Sequence, residues 1–514
     1  MHEEPVLALE EIQGIVTPGF NKDHQHLLFL RIADAAAARD WLADFGRELS
    51  SAAETLSARI LWKAMRARLG EEPGARLPLV QWACAFSAAG LRRLTSDDEI
   101  AEFADEAFTL GMEARSTLLG DPPTGPGCAG RWLVGGPGTK VDVLLIGASD
   151  DLELLQRQVE AVALSASAAS LELVHLDRGV VSGRNQAGHE HFGFKDGVSQ
   201  PAMRGRRTQA ADDYYEARLW PFEPDLLERR DAYAAPGRPL VWPGHFLFGY
   251  EGQMRDEPQT PNPSYMPRGP GWAANGSFLV FRRLRQDVDA FESFLEATAT
   301  RLQQQAGTAA PGVDRLGALL VGRWKSGSPV SYKPHVDQPI PASCENEFSF
   351  STARTFVSET GAQLECPADP QGIHCPLGAH IRKVNPRDDD TDIGPAARTL
   401  QKLMLRRGIT YDDGPADGGV DDRGLLFLAF QSSIQDQFEF LTTDWINLAD
   451  RPVDEGGHDP ILAQGSGRYV NLKLGGNTYE IPLPGNFVVP TGGEYFFTPS
   501  LAFFRERLTS SPDA

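Results

Sequence analysis

The order of strand-like and helix-like segments is the feature that most constrains the fold of this chain. Residues His26 to Ile32 read as a strand, and apolar residues follow Asp34 at helical spacing, so that Asp34 can cap a helix. Further apolar or alternating runs predict strands at 79–86, 141–147 and 171–176, and a helix that begins after Asp150 or Asp151. The order is strand, helix, strand, then strand, helix, strand, which indicates an α+β fold of the ferredoxin-like type.

The second half of the chain repeats this order loosely. Its predicted elements are strands at 277–284, 424–431 and 495–498 and helices at 287–304 and 436–445. A charged stretch with several prolines, Gly205 to Pro239, is interpreted as the link between the halves, so we expect an N-terminal half at 1–205 and a C-terminal half at 206–514. No repeat is visible in the residues themselves, and the duplication is therefore an expectation from the pattern.

Composition excludes several classes of function. The 514 residues are 41% hydrophobic, enough for a large core or two domains, and no apolar run reaches the length of a membrane span. The net charge of -21, from 70 acidic and 49 basic residues, opposes nucleic-acid binding. The acidic start, Met1 to Pro5, lacks a signal pattern, so a cytoplasmic protein is expected unless a leader was removed. The five cysteines form no CxxC pair, which favours buried reduced thiols.

One compact stretch, His374 to Arg387, has the residues that a haem iron needs from a protein. It offers an imidazole as iron ligand, a small Gly378-Ala379 step for close approach of the porphyrin, and cationic side chains for the propionates. A core histidine on a helix explains the stretch equally well, and spacing alone does not choose between His374 and His380.

Two loops add groups that could act on a bound substrate. Asp196 lies between Gly193 and Gly197 in a loop rich in helix breakers, although Asp-Gly alone is typical of a turn. Arg406 and Arg407 precede a glycine, a pattern that also fits a solvated basic turn. The acidic runs Asp388–Asp390 and Asp412–Asp413 could hold calcium or manganese, but solvated loops are favoured because EF-hand spacing is missing.

Taken in order along the chain, these segments resemble the dye-decolourising peroxidase family. Gly193 to Gly197 matches its Gly-x-x-Asp-Gly motif, Cys375 to Arg387 its proximal-histidine segment, and Arg406 to Tyr411 its distal-arginine segment. Further family-like segments are 321–327, 457–461 and 490–497. The resemblance covers nearly the whole chain, whose length is similar to that of the longer bacterial and fungal branch. Thr410 departs from the proline that the family often has there.

The resemblance implies a fold and a set of site residues. The fold is α+β, with two ferredoxin-like halves, antiparallel sheets and peripheral helices, and haem b is held mainly by the C-terminal half. His380 is the expected proximal ligand of the haem iron. Asp196 is the expected acid-base group, and Arg406, rather than Arg407, the cation that stabilises charge on the departing oxygen.

The remaining expected contacts concern the cofactor. Gly193 and Gly197 are expected to line its site, and Arg323 and Arg382 to pair with its propionates. The ring N–H of the proximal histidine needs a carboxylate, for which Asp436 fits the family pattern better than Glu439.

The implied activity is that of a haem peroxidase. It reduces hydrogen peroxide and oxidises dyes, phenols or other bulky one-electron donors, and in some members manganese(II), through a ferryl intermediate. The alternative is a haem carrier or iron-releasing haem protein that never uses peroxide. A carrier needs neither a distal acid-base group nor a cation beside it, so the geometry around Asp196 and Arg406 separates the two hypotheses.

Overall fold

The computed structural model describes residues 2–69, 77–181, 188–218, 231–235, 237–265, 267–357, 363–415 and 421–510. Its strands are β1 His24–Ile32, β2 Gln81–Ser87, β3 Val143–Ser149, β4 Leu171–Val180, β5 Ala202–Met203, β6 Tyr233–Ala234, β7 Arg238–Val241, β8 Gly252–Gln253, β9 Pro261–Asn262, β10 Ser277–Gln286, β11 Arg354–Val357, β12 Gln363–Cys366, β13 Leu405–Arg406, β14 Ile409–Pro415, β15 Asp421–Gln431, β16 Tyr469–Leu474, β17 Asn477–Pro482 and β18 Val488–Thr498. The longer strands agree with those predicted from the sequence to within a few residues at most ends.

The helices lie mostly between these strands. They are α1 Ala35–Phe45, α2 Ala52–Leu69, α3 Ala88–Leu94, α4 Asp97–Ala101, α5 Glu106–Leu110, α6 Met112–Arg115, α7 Leu152–Ala168, α8 Val288–Ala306, α9 Val313–Val321, α10 His380–Val384 and α11 Ala396–Thr399. π-Helical turns occupy Ile434–Glu439, Leu441–Ile446 and Phe503–Arg507. Asp34, Asp151 and Asp287 accept hydrogen bonds from first-turn amides of α1, α7 and α8, which is the capping expected of aspartate.

One antiparallel sheet organises the molecule. Its strand order is β10-β18-β2-β3-β1-β4-β14-β15-β13, and β10 also pairs with β15, so that all strands except β13 close into a barrel of eight. The first half supplies the run β2-β3-β1-β4 and the second half supplies β14-β15-β10-β18. Each run has the strand order of a ferredoxin-like unit, and the predicted α+β fold with two such halves is confirmed.

The two halves meet along two short seams. Phe86 and Ser87 of β2 pair with Phe497 and Phe496 of β18. On the other side, β4 and β14 pair at Gly179 and Tyr411. The barrel is therefore closed by few backbone contacts between halves, and the interior must hold it together.

Alternation along the strands divides the core into two layers. Leu27, Phe281 and Leu428 belong to a buried cluster that receives residues from strands of both halves and fills the barrel. Their neighbours Leu28 and Val280 point outward and pack beneath helices. On β15 the outward side chains include Leu425 and Phe427, which line a cavity.

Residues of both acidic runs bind other parts of the protein. Asp413 forms a salt bridge of 2.8 Å with the buried Arg283 of β10. Asp388 accepts hydrogen bonds from the amides of Phe350 and Thr352. Within the ranges given above, His, Cys, Asp and Glu side chains form no cluster of three or more that could hold a metal ion.

The cysteines and the helices bear on two further expectations. All five cysteines are free and buried, and their predicted burial is confirmed. Among the helices of the described residues, none combines the length and apolarity needed to cross a bilayer.

Candidate active site

A cavity of about 580 Å³ lies against the outer face of the sheet. Leu284 of β10 and Leu425 and Phe427 of β15 form part of its apolar wall. His380, Asp196 and Arg406, which are far apart in the sequence, all line it. The volume falls within the range of about 300–1,000 Å³ that is typical of ligand sites.

His380 opens the short helix α10 and is fixed by a carboxylate. Its Nδ1 lies 2.8 Å from Oδ2 of the buried Asp459. Because Nδ1 is engaged, Nε2 is the ring nitrogen available to a metal in the cavity. His374 does not line the cavity, and its backbone amide donates to Asp369. Of the two histidines that spacing left open, only His380 is therefore placed to bind a group in the cavity.

Asp459 is held in turn by the backbone. Its Oδ1 accepts hydrogen bonds of 2.8 Å from the amides of Ile461 and Leu462. Burial alone would raise the pKa of Asp459, but His380 and these amides hold that pKa below its ordinary value. Burial alone would likewise lower the pKa of His380, and Asp459 raises it. The pair is thus an imidazole bound to an ionised carboxylate.

The prediction that Asp436 is the carboxylate partner of His380 was wrong. Asp436 is exposed, and its backbone carbonyl accepts a hydrogen bond from Lys402. Glu439, the alternative, makes two hydrogen bonds of 2.6 Å with Arg115. The residue missed is Asp459, although it stands in the family-like segment 457–461.

Gly378, in the Gly378-Ala379 pair before His380, has a different role from the one expected. Gly378 does not line the cavity. A Cβ at Gly378 would lie 2.3 Å from the carbonyl oxygen of Gly456, in the loop that leads to Asp459. The glycine therefore allows close approach of the two segments that carry His380 and Asp459, rather than of a porphyrin.

The loop of Asp196 is shaped by its two glycines. Gly193 and Gly197 have φ angles of 89° and 72°, which favour glycine. The carboxylate of Glu190 accepts the amides of Phe192 and Phe194, each at 2.8 Å, and so braces the turn. Gly197 lines the cavity as expected. Gly193 does not, because it packs toward Lys325, and its assignment as a cofactor contact is corrected.

Arg406 joins the loop of Asp196 to the sheet. Its Nη1 lies 3.8 Å from Oδ1 of Asp196, and its Nη2 donates to the carbonyl of Ser199 at 2.6 Å. Its backbone exchanges two hydrogen bonds with the side chain of Gln200. Successive side chains of an extended segment point to opposite sides, and Arg407 accordingly donates to the carbonyl of Val16. Arg406 is therefore the arginine placed beside Asp196.

The buried Arg323 and the partly buried Arg387 form a cationic region elsewhere on the cavity wall. Arg323 donates to the carbonyls of Gly327 and Glu345, and Arg387 to the carbonyls of Asn346 and Phe348. Burial lowers the pKa of Arg323 to about 9 and that of Arg387 to about 10. In the described part of the chain neither guanidinium has a carboxylate within salt-bridge distance. An anionic group in the cavity would offset this buried charge.

Arg382 does not take part, contrary to expectation. Its Nε and Nη2 donate to the carboxylate of Asp389 at 2.7 and 2.9 Å, and the side chain is away from the cavity. Two residues correspond to a rotation of about 200° on a helix, so Arg382 points away from the side of His380. The missed residue is Arg387, whose positive φ of 55° turns the chain after α10 and returns a guanidinium to the cavity.

These residues fit a haem by their chemistry. His380 supplies one imidazole whose other nitrogen is held by a carboxylate, as iron ligation requires. Leu425, Phe427 and Leu441 supply apolar walls for a porphyrin. Arg323 and the neighbouring Arg387 would supply donors for propionates. Asp196 and Arg406 are not needed for holding the haem, which leaves them available for catalysis.

Comparisons with known proteins identify relatives of this chain. Residues 11–181 match the family described as "DyP dimeric alpha+beta barrel domain". The chain is 31% identical to "Dye-decolorizing peroxidase msp1" of Mycetinis scorodonius, over 98% of this chain and 88% of that protein. It is 30% identical to a solved ancestral D-type dye-decolorizing peroxidase, with a TM-score of 0.75 over 98% of this chain and 100% of the other. A second solved structure, a dye-decolorizing peroxidase in complex with 2,6-dimethoxyphenol, is 28% identical over 98% of this chain and 100% of the other, with a TM-score of 0.72.

The strand order of the barrel, the residues around the cavity and the nearly full-length similarity all lead to one assignment. The chain belongs to the dye-decolourising peroxidase family and is a haem-dependent peroxidase.

Proposed function

We propose that this chain binds haem b through His380 and reduces hydrogen peroxide with Asp196 and Arg406, while dyes, phenols or other bulky donors supply electrons. Residues 1–205 would contribute Asp196, and residues 206–514 would contribute His380 and Arg406. Manganese(II) is included as a small donor on the resemblance to the family alone.

The observation that carries the proposal is the pair formed by Asp196 and Arg406. The two charged groups lie 3.8 Å apart and line the same cavity as His380. Holding a haem requires His380 and apolar walls but gains nothing from a carboxylate and a guanidinium beside the bound group. The pair therefore favours a peroxidase over a haem carrier.

Each residue has a defined task. When bound, the haem would supply the two electrons that reduce peroxide, one from the iron and one from the porphyrin, and would regain them singly from donors. Asp196 takes the proton from one peroxide oxygen and returns it to the other, which requires an approach of about 3 Å or one bridging water. Arg406 stabilises the negative charge that develops on the departing oxygen. Asp459 accepts the Nδ1–H of His380 and so makes Nε2 a stronger electron donor.

We infer the class of electron donor from a related peroxidase. A similar peroxidase is known in complex with 2,6-dimethoxyphenol. We extend phenolic donors to this chain because its cavity combines apolar walls with polar groups beside Asp196.

The test is a stoichiometric assay on the purified haem-loaded protein. Peroxide is added with 2,6-dimethoxyphenol, and both reactants are followed by absorbance. A peroxidase consumes one peroxide for every two one-electron oxidations of the phenol. A protein that keeps its haem but turns over neither reactant is a carrier, and the proposal fails.

A further inference from the structure

We propose that Arg59 and Arg407 form a second anion-binding subsite on the cavity rim, which takes the acidic group of an aromatic electron donor such as an aryl sulfonate. That the bound molecule donates electrons rests on the proposed function, but the test of its binding does not require turnover. The subsite is distinct from Arg323 and Arg387.

The two guanidiniums converge on one short segment. Arg59 of α2 donates through Nη2 to the carbonyls of Pro18 and Gly19, at 3.0 and 2.7 Å. Arg407 donates to the carbonyl of Val16 at 3.0 Å. A Cβ placed on Gly19 would lie 2.5 Å from Nε of Arg407, so both arginines meet at this glycine. Both also line the cavity.

Neither arginine is neutralised by the described residues. Their hydrogen bonds go to backbone carbonyls, and no salt bridge is formed with either of them in that part of the chain. Glu216 acts on both at longer range, but it is bound to Arg238 at 2.6 Å. Nε of Arg59 is buried without a partner. The rim therefore holds two adjacent cations whose charge an anion would offset.

The titration of the two groups agrees with this geometry. Burial, and after it the neighbouring charge of Arg59, lower the pKa of Arg407 to about 10. Burial also lowers the pKa of Arg59. Each guanidinium is thus less stable as a cation than it would be in water, and a bound anion would reverse the effect.

The rest of the rim suits an aromatic ring. Ile15, whose carbonyl accepts a hydrogen bond from Arg407, and Phe20, which follows Gly19, line the same cavity as Asp196, as do Val181 and Pro239. A donor held by its acidic group at the arginines could lay its ring along this apolar wall. Because the chain carries a net charge of -21, it repels anions at long range, and a local cationic pair is what would retain them.

Inorganic anions share the same chemistry, so the experiment must separate them from donors. The resting haem-loaded protein, without peroxide, is titrated calorimetrically with 4-hydroxybenzenesulfonate, with phenol and with sulfate. The variants are Arg59→Gln, Arg59→Lys and, as a control with the same loss of charge, Arg47→Gln, whose side chain is 80% exposed on the surface.

The expected result is a selective loss of affinity for the sulfonate. A charge-assisted hydrogen bond of ordinary strength implies binding weaker by about tenfold or more in Arg59→Gln. Arg59→Lys should keep most of the affinity, since it keeps the charge, and Arg47→Gln should bind like the unaltered protein. Phenol binding should fall much less than sulfonate binding in Arg59→Gln.

Three results would overturn the subsite. The first is unchanged sulfonate affinity in Arg59→Gln. The second is an equal fall in affinity for phenol and sulfonate in both Arg59 variants, which would mean that Arg59 only holds the chain in place. The third is sulfate binding as tight as sulfonate binding, which would indicate a simple anion site. If the unaltered protein bound the sulfonate as expected but oxidised no donor, the proposed peroxidase function would fail and the subsite would stand.

Discussion

Nδ1 of His380 and Oδ2 of Asp459 lie 2.8 Å apart although 79 residues separate them in the chain. In Asp459→Asn the imidazole loses its charged acceptor and becomes a weaker electron donor. We expect affinity for the haem to fall by about 10- to 100-fold and the reduction potential of the bound haem to rise. Haem transfer to an apo-globin and a spectroelectrochemical titration measure the two effects. Asp436→Asn, at the exposed position first expected to hold this role, is the control, and equal effects from both variants would contradict the assignment.

The arginines near the cavity divide into two kinds. Arg387→Gln removes a cation that lacks a carboxylate partner among the described residues, so haem retention should weaken while the apoprotein keeps its free energy of unfolding. Arg382→Gln makes the same chemical change but leaves Asp389 buried without its cation, which should cost about 3–5 kcal/mol. Urea unfolding of the apoproteins and rates of haem loss measure the difference. The reverse pattern would restore Arg382 as the propionate partner.

Arg406 should matter for the reaction with peroxide whichever group moves the proton. Arg406→Leu removes the cation beside Asp196, and the second-order rate constant should fall by about 10²- to 10³-fold. Arg398→Leu is a matched control, because Arg398 forms its salt bridge with Asp256 at the surface. Stopped-flow absorbance gives both constants. A similar small change in the two variants would remove arginine from the mechanism.

A buried carboxyl outside the cavity should make stability depend on pH. Burial raises the pKa of Glu494 from 4.5 to about 7, while the amides of Met112 and Tyr495 donate to it. Because the pKa of Glu494 is higher in the folded state than in the unfolded state, its contribution to the free energy of unfolding is complete below pH 4.5. That contribution is lost as the pH rises through about 7.

Glu494→Gln keeps an amide oxygen as acceptor and cannot ionise. Its free energy of unfolding should therefore fall less than that of the unaltered protein between about pH 5 and about pH 8, by up to about 3 kcal/mol. Urea titrations at both pH values test this, with Glu48→Gln, a change at an exposed glutamate, as the control. Parallel curves for the two proteins would show that Glu494 does not titrate in this range.

Much of the fold follows from local patterns in the sequence. Asp34 and Asp151 cap helices as their positions indicate, and the long strands lie where apolar alternation predicts them. Closure of the barrel could not be predicted, because it depends on the seam between Tyr411 and Gly179 and a similarly short one between β2 and β18. Nothing in the local pattern of either strand specifies so distant a partner.

The residues of the site also divide into those that the sequence predicts and those that it does not. His380, Asp196 and Arg406 stand in recognisable segments, and the structure brings them to one cavity. The supporting residues depend on geometry beyond the segment. Asp459 reaches His380 only because Gly378 lets two loops approach closely, and Arg387 reaches the cavity through a left-handed backbone turn. Counting positions from His380 could not find either residue.

The central claim is that Asp196 moves the proton of hydrogen peroxide beside a haem held by His380. Asp196→Asn keeps the size and shape of the side chain but cannot accept that proton. The direct measurement is the second-order rate constant for peroxide with the resting haem-loaded protein, by stopped-flow absorbance. We predict a fall of about 10²- to 10⁴-fold with haem content unchanged. An unchanged rate constant in Asp196→Asn would contradict it and assign the proton transfer to another group or to water.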